Sequence, residues 1–144
     1  MTAFVLDASV TAAWLLPDAA NEHTRRLYTL IRRDEVEPQA PNLWQWECSN
    51  LISSGVHSGR IPAASVEGLW SVLEAIRHRV ELHDLAPAQH KAVMVVALDT
   101  GLPTFDAAYL WLARSLRLPL ATFDPQQIAA AQRSGVPLLD LSSL

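Results

Sequence analysis

The sequence predicts an α/β domain of three layers, with helices covering both faces of a central parallel sheet. Three observations carry this expectation. Short apolar runs alternate with helical stretches along the whole chain, an order that favours parallel strands joined by helical crossovers. The chain has 144 residues, half of them apolar, enough for one sizeable core. Two of the apolar runs, "FVL" and "PLATF", stop on an aspartate, Asp7 and Asp124. In such sheets ligands bind beyond the carboxyl ends of the strands.

The elements follow in order. Residues 3–6 (AFVL) form a short, fully buried strand. Residues 8–16 form a helix closed by Pro17, and 20–33 carry helical spacing through Leu27, Leu30 and Ile31. "EVEPQAP" (35–41) allows a brief strand around Val36 and then a turn. Residues 42–57 read as a helix capped by Asn42. The helix over 62–78 opens on Pro62, and Val66, Leu69, Trp70, Leu73 and Ile76 make its apolar stripe. "VELHD" (80–84) alternates like a strand. Pro87 starts a helix over 87–99 that ends at Gly101. A helix over 105–117 puts Phe105, Ala108, Tyr109, Leu112 and Leu116 on one side. "PLATF" (119–123) is a strand, 125–134 a helix ended by Gly135, and "PLLDL" (137–141) a last strand. No repeat, low-complexity segment or Gly/Ser linker divides the chain, so residues 1–144 read as one domain.

Composition narrows the function classes. No stretch reaches the roughly 18 uninterrupted apolar residues that a membrane span needs, and the N-terminus lacks the basic start of a secretory signal. A single cysteine, Cys48, allows no internal disulfide, so the cytoplasm is the expected compartment. Cys48 lies in an apolar pattern and reads as a packed, inert thiol. The net charge of −4 argues against a passive nucleic-acid binder, which neutralises phosphates with basic groups. It argues less against an enzyme whose metal ions supply positive charge locally.

Four carboxylates stand out. Asp7 and Asp124 each have a structural explanation as helix caps, and "DPQQ" places Pro125 and Gln127 as a capping box requires. Asp106 falls in the first turn of a helix that Thr104 could cap, where the macrodipole favours an anion. Glu47 is harder to explain structurally. Its neighbours at three and four residues are Leu43, Trp44, Asn50 and Leu51, and no basic residue lies within a turn. A carboxylate on an apolar face is tolerated when paired or bound to a cation. Two carboxylates about 4 Å apart repel by roughly 4 kcal/mol at an effective dielectric of about 20. Gathering four of them calls for a hard divalent ion, and oxygen ligands suit Mg²⁺ and Mn²⁺. The five histidines, His23, His57, His78, His83 and His90, are scattered without ligand spacing, which disfavours zinc.

Four stretches, "FVLDASV", "PNLWQWECSNLI", "GLPTFDAAYLWLA" and "LPLATFD", together resemble the PIN-domain nucleases, and more narrowly the VapC-type toxins of toxin–antitoxin pairs. Their order, their spacing and the chain length all match. The resemblance implies a PIN-like fold in which Asp7, Glu47, Asp106 and Asp124 are the catalytic, metal-holding acids for Mg²⁺ or Mn²⁺. It also implies that Ser9, Asn50 and Thr122 orient those carboxylates. The implied activity is endonucleolytic hydrolysis of single-stranded or looped RNA by a metal-activated water, leaving 5′-phosphate and 3′-hydroxyl ends. A small cognate antitoxin and a homodimer are the implied partners. Trp14 and Leu27 are candidates for an apolar groove that takes the antitoxin. Trp44 and Trp46 read as core or partner-contact residues before base-stacking platforms.

Other readings fit less well. A haloacid-dehalogenase-like enzyme needs a second aspartate two residues after the first, where this chain has Ser9. A response-regulator receiver needs a lysine after a late strand, and the sole lysine, Lys91, falls in an earlier helix. A non-cleaving PIN-like module would be expected to lose an acid, and here the set is whole.

Overall fold

The computed structural model describes residues 1–144. Four strands, β1 (Thr2–Leu6), β2 (Val36–Pro41), β3 (Glu81–His83) and β4 (Leu120–Ala121), form one sheet. All neighbours are parallel, in the order β3-β2-β1-β4. Seven α-helices connect and cover them: α1 (Ala8–Leu15), α2 (Glu22–Arg32), α3 (Leu43–His57), α4 (Val66–Arg77), α5 (Pro87–Thr100), α6 (Thr104–Leu116) and α7 (Pro125–Arg133). Phe4, Val5 and Leu6 of β1 are fully buried, as an inner strand of a parallel sheet covered on both faces requires. The expected three-layer α/β/α arrangement is therefore present.

The order of strands positions the functional edge. The chain leaves β1 toward β2 on one side, and β4 returns to pair on the other. The crevice between such oppositely directed connections lies at the carboxyl ends of the strands. β1 ends at Leu6, directly before Asp7, and the Asp7 amide still donates to Ala121 O of β4 at 3.0 Å. The two strand ends that carry aspartates are thus adjacent.

Several local expectations need correction. β2 runs the full length of Val36–Pro41 rather than turning after Val36. It is paired on both sides, and the fixed φ of Pro38 and Pro41 suits extended chain. β4 is only two residues long because the Thr122 hydroxyl accepts the Asp124 amide at 3.1 Å, a turn that lifts the chain off the sheet. "PLLDL" forms no strand: Leu138 makes one bridge to Leu120, then Asp140 caps a 3₁₀ turn over Leu141–Ser143. Asn42 does not cap α3, because its side chain is held by Gln45 and Asp84 instead. Pro62 precedes a separate 3₁₀ turn, Ala63–Ser65, ahead of α4. Thr104 is the first residue of α6 and makes no capping bond. No single helix is long and apolar enough to cross a membrane.

Candidate active site: four acids at the carboxyl edge

The four sequence-predicted acids converge. Asp7, Glu47, Asp106 and Asp124 line one pocket of 250 Å³, together with Ala8, Ser9, Asn50 and Leu51. Each acid comes from a different part of the fold: the end of β1, the second turn of α3, the first turn of α6 and the N-cap of α7. No basic side chain lines the pocket, so no positive charge at its wall offsets the cluster.

Asp7 is the most constrained. It occupies the N-cap position of α1 yet makes no capping bond; the Ser9 amide faces it outside capping geometry. Its Oδ2 accepts from Ser9 Oγ at 2.6 Å and from Thr122 Oγ1 at 2.8 Å. Each hydroxyl also receives a backbone amide of the β4–α7 turn, Ser9 from Phe123 at 2.9 Å and Thr122 from Asp124. Both hydroxyl protons are therefore committed to Asp7, and the 3.3 Å approach of Ser9 Oγ to Thr122 Oγ1 is packing rather than a third bond. Oδ1 accepts from Gln127 Nε2 at 3.3 Å. Two strand ends are in effect stitched together through one carboxylate.

The remaining acids are less enclosed. Glu47 accepts from the hydroxyl of the buried Tyr109 on α6. Asp124 accepts from the Gln126 amide at 2.9 Å and so does cap α7. Asp106 has only its place in the first helical turn to stabilise it. Burial pushes the Asp7, Glu47 and Asp106 carboxyls above their usual range, and the neighbouring acids add to this. Asp7 feels Asp124, Glu47 feels Asp7 and Asp106, and Asp106 feels Asp7 and Asp124. Burial likewise pushes the Cys48 thiol up, in keeping with an inert packed cysteine.

Of the three predicted orienting residues, Ser9 and Thr122 bond a carboxylate directly. Asn50 lines the pocket but bonds none of the acids, whose partners are Ser9, Thr122, Gln127, Tyr109 and the Gln126 amide. Gln127 and Tyr109 escaped the sequence reading. Gln127 matched a capping box, but its amide turns inward and its Oε1 is buried without a partner. The signal was its place three and four residues before Ala130 and Ala131, on the buried face of α7. Tyr109 counted only toward an apolar stripe, in which its hydroxyl needed a partner.

The aromatic and groove residues separate in the same way. Trp44 is fully buried and donates to Thr11 Oγ1 at 3.0 Å, whereas Trp46 is 76% exposed. Phe105, placed on the apolar side of its helix, is 67% exposed. Trp14 borders two adjoining apolar grooves of 520 and 400 Å³, shared with Pro17, Tyr28, Ile61, Leu69 and Val72. Leu27 is fully buried and lines neither groove.

The donor set is chemically uniform: carboxylate oxygens, hydroxyls and an amide, with no histidine or cysteine lining the pocket. That set suits a hard oxygen-seeking cation such as Mg²⁺ or Mn²⁺. No three of the acids stand close enough to hold one ion by direct bonds alone. An ion that keeps several of its waters needs only one or two direct carboxylates.

No family model matches the chain, and neither does any curated protein. Solved structures do. The crystal structure of PAE2754 from Pyrobaculum aerophilum aligns with a TM-score of 0.70 at 22% identity, covering 99% of this chain and 92% of that one. FitAcB from Neisseria gonorrhoeae aligns with a TM-score of 0.59 at 18% identity, covering 98% and 99%. Likeness at such identities speaks for the fold alone, and the fold is the PIN-like α/β/α arrangement with a central parallel sheet.

Proposed function

We propose that this chain is a Mg²⁺- or Mn²⁺-dependent endoribonuclease of the VapC type, the toxin of a toxin–antitoxin pair. The observation that carries the reading is the single pocket lined by Asp7, Glu47, Asp106 and Asp124 with no cation of the protein's own. The motif order in the sequence and the PIN-like fold support it.

The residues divide the work by their surroundings. Asp7 and Asp106 would hold the ion: Asp7 is locked in orientation by Ser9, Thr122 and Gln127, and Asp106 stands free of competing hydrogen bonds. Glu47 and Asp124, each with one oxygen already occupied, by Tyr109 and by the Gln126 amide, would complete the set. When bound, the ion lowers the pKa of water and stabilises the leaving oxygen. Glu47, with one oxygen held by Tyr109 and the other free, would accept the proton of the attacking water. Water attack leaves 5′-phosphate and 3′-hydroxyl ends. Sequencing the ends of RNA cut by the purified protein with Mn²⁺ tests this; 2′,3′-cyclic phosphate ends would refute it.

An enzyme of this kind needs a silencing partner in its own cell. The two apolar grooves around Trp14 suit an amphipathic segment of a small antitoxin. The exposed apolar residues of α5, Met94, Val95 and Leu98, offer surface for a second copy in a homodimer. Growth arrest on expression of the chain alone, relieved by co-expression of a small neighbouring gene, is the cellular test.

A further inference from the structure

The acidic pocket does not end at α3. A cavity of 100 Å³ continues from it, and Asn50 and Leu51 line both. Beyond them the cavity is lined by Leu16, Ser54, Gly55, Ser58 and Arg60. Asn50 and Ser54 lie four residues apart on one face of α3, and Ser58, just past its end, continues the row, so the cavity is lined by an amide and two hydroxyls. Arg60 also lines it, and is the sole basic side chain lining either cavity.

The chain is built to place Arg60 there. The amides of Arg60 and Ile61 both donate to Gly55 O, at 2.9 and 3.0 Å. Gly59 makes the required turn with φ +80°, a conformation that costs glycine little. A Cβ on Gly55 would fall 2.4 Å from Ile61 Cδ1. A side chain at position 55 would therefore take the space that the Ile61 side chain fills. Arg60 Nη2 then bonds Asp18 Oδ1 at 2.8 Å, with both side chains half-exposed or more. One carboxylate cannot occupy all five N–H donors of a guanidinium, so donors stay available at the rim.

We propose that this cleft is a subsite for the sugar–phosphate backbone flanking the cleaved bond. Arg60 takes a phosphate, and Asn50 and Ser54 hydrogen-bond the oxygens between it and the acids. The inference rests on the nuclease reading. On a chain of net charge −4, a divalent ion among the acids would offset their charge only at the cleaved bond, and a phosphate farther along the strand needs a cation of its own. Arg60 is the one cation lining this cleft, and neutral donors line it with Arg60. Contacts of this type position a strand without reading its bases.

The test compares Arg60→Gln and Asp18→Asn in the full-length protein, with single-stranded RNA and Mn²⁺. Arg60→Gln is expected to raise KM about tenfold with kcat unchanged. The slope of log KM against log salt is expected to fall by about one, while Mn²⁺ affinity by calorimetry stays that of wild type. Asp18→Asn frees the guanidinium and is expected to leave KM equal or lower. Two results overturn the subsite: a wild-type KM and salt slope for Arg60→Gln, or the same loss in Asp18→Asn, which would make Arg60 an ion-pair residue only. Should Arg60→Gln fail to fold, Arg60→Lys keeps the charge; a wild-type salt slope with raised KM supports the subsite, and a lost slope overturns it. A wild type that neither binds nor cuts RNA refutes the nuclease reading and the subsite together, whereas Mn²⁺-dependent cutting with an unaltered Arg60→Gln refutes the subsite alone.

Discussion

At the scale of the residue, Asp7 illustrates how a site is built at the expense of stability. Its carboxylate is 4% exposed, and burial holds its proton affinity up despite two short hydroxyl bonds. Replacing it by asparagine removes the buried charge and leaves a carbonyl oxygen, in the place of Oδ2, as acceptor for Ser9 and Thr122. The new amide then faces Gln127, whose unpartnered Oε1 can turn to receive it. Asp7→Asn is therefore expected to stabilise the metal-free protein by about 1–3 kcal/mol, seen as a higher urea midpoint. The same variant is expected to lose Mn²⁺-dependent RNA cleavage. Greater stability with retained cleavage would remove Asp7 from the catalytic set; lower stability would mean that the buried charge costs nothing.

At the scale of the element, α3 does two jobs with opposite faces. Trp44, Cys48, Ile52 and Gly55 are buried at helical spacing, which anchors the helix. Glu47, Asn50 and Ser54 follow the other side along the pocket and its extension. Gly55 joins the two roles, since the Ile61 side chain fills the space where a Cβ would be and is itself 2% exposed. Gly55→Ala is expected to cost about 1–3 kcal/mol by overpacking, despite the better helix propensity of alanine. Adding Ile61→Ala is expected to recover part of it, as a non-additive double-mutant cycle in chemical denaturation would show. The sequence placed this helix correctly but not its cap, because Asn42 is drawn to Gln45 and Asp84, and Asp84 is 42 residues away.

At the scale of the whole molecule, the acids tie stability to pH and to cations. Asp7, Glu47 and Asp106 hold protons more tightly folded than unfolded. Between the unfolded and folded values the native state binds more protons, so stability falls as pH rises through that interval. Asp18, Glu74 and Asp140 are shifted the other way by Arg60, Arg77 and Ser142, and their contribution is lost as pH falls below the ordinary carboxyl range. The metal-free protein is thus expected to be more stable near pH 5 than at pH 7. Mn²⁺ is expected to reverse the difference, adding about 2.7 kcal/mol at a concentration one hundred times its Kd. Thermal scans at both pH values, with Mn²⁺ and with EDTA, check this; a melting temperature indifferent to Mn²⁺ at pH 7 would deny the acids a cation.

The sequence by itself determined the alternation of strands and helices and the parallel sheet, because hydrophobic period and breaker residues are local signals. It also singled out the four acids, since each stands at a strand end, a helix start or a place on an apolar face where a charge needs a reason. Only the tertiary structure decided how those acids are held. Ser9 and Thr122, 113 residues apart, share Asp7. Gln127 leaves its expected cap for a carboxylate 120 residues distant, and Tyr109 reaches Glu47 across 62. Such bonds depend on which elements meet in space, and side-chain donors bind whichever acceptor the packed core brings within about 3 Å, whatever their separation along the chain.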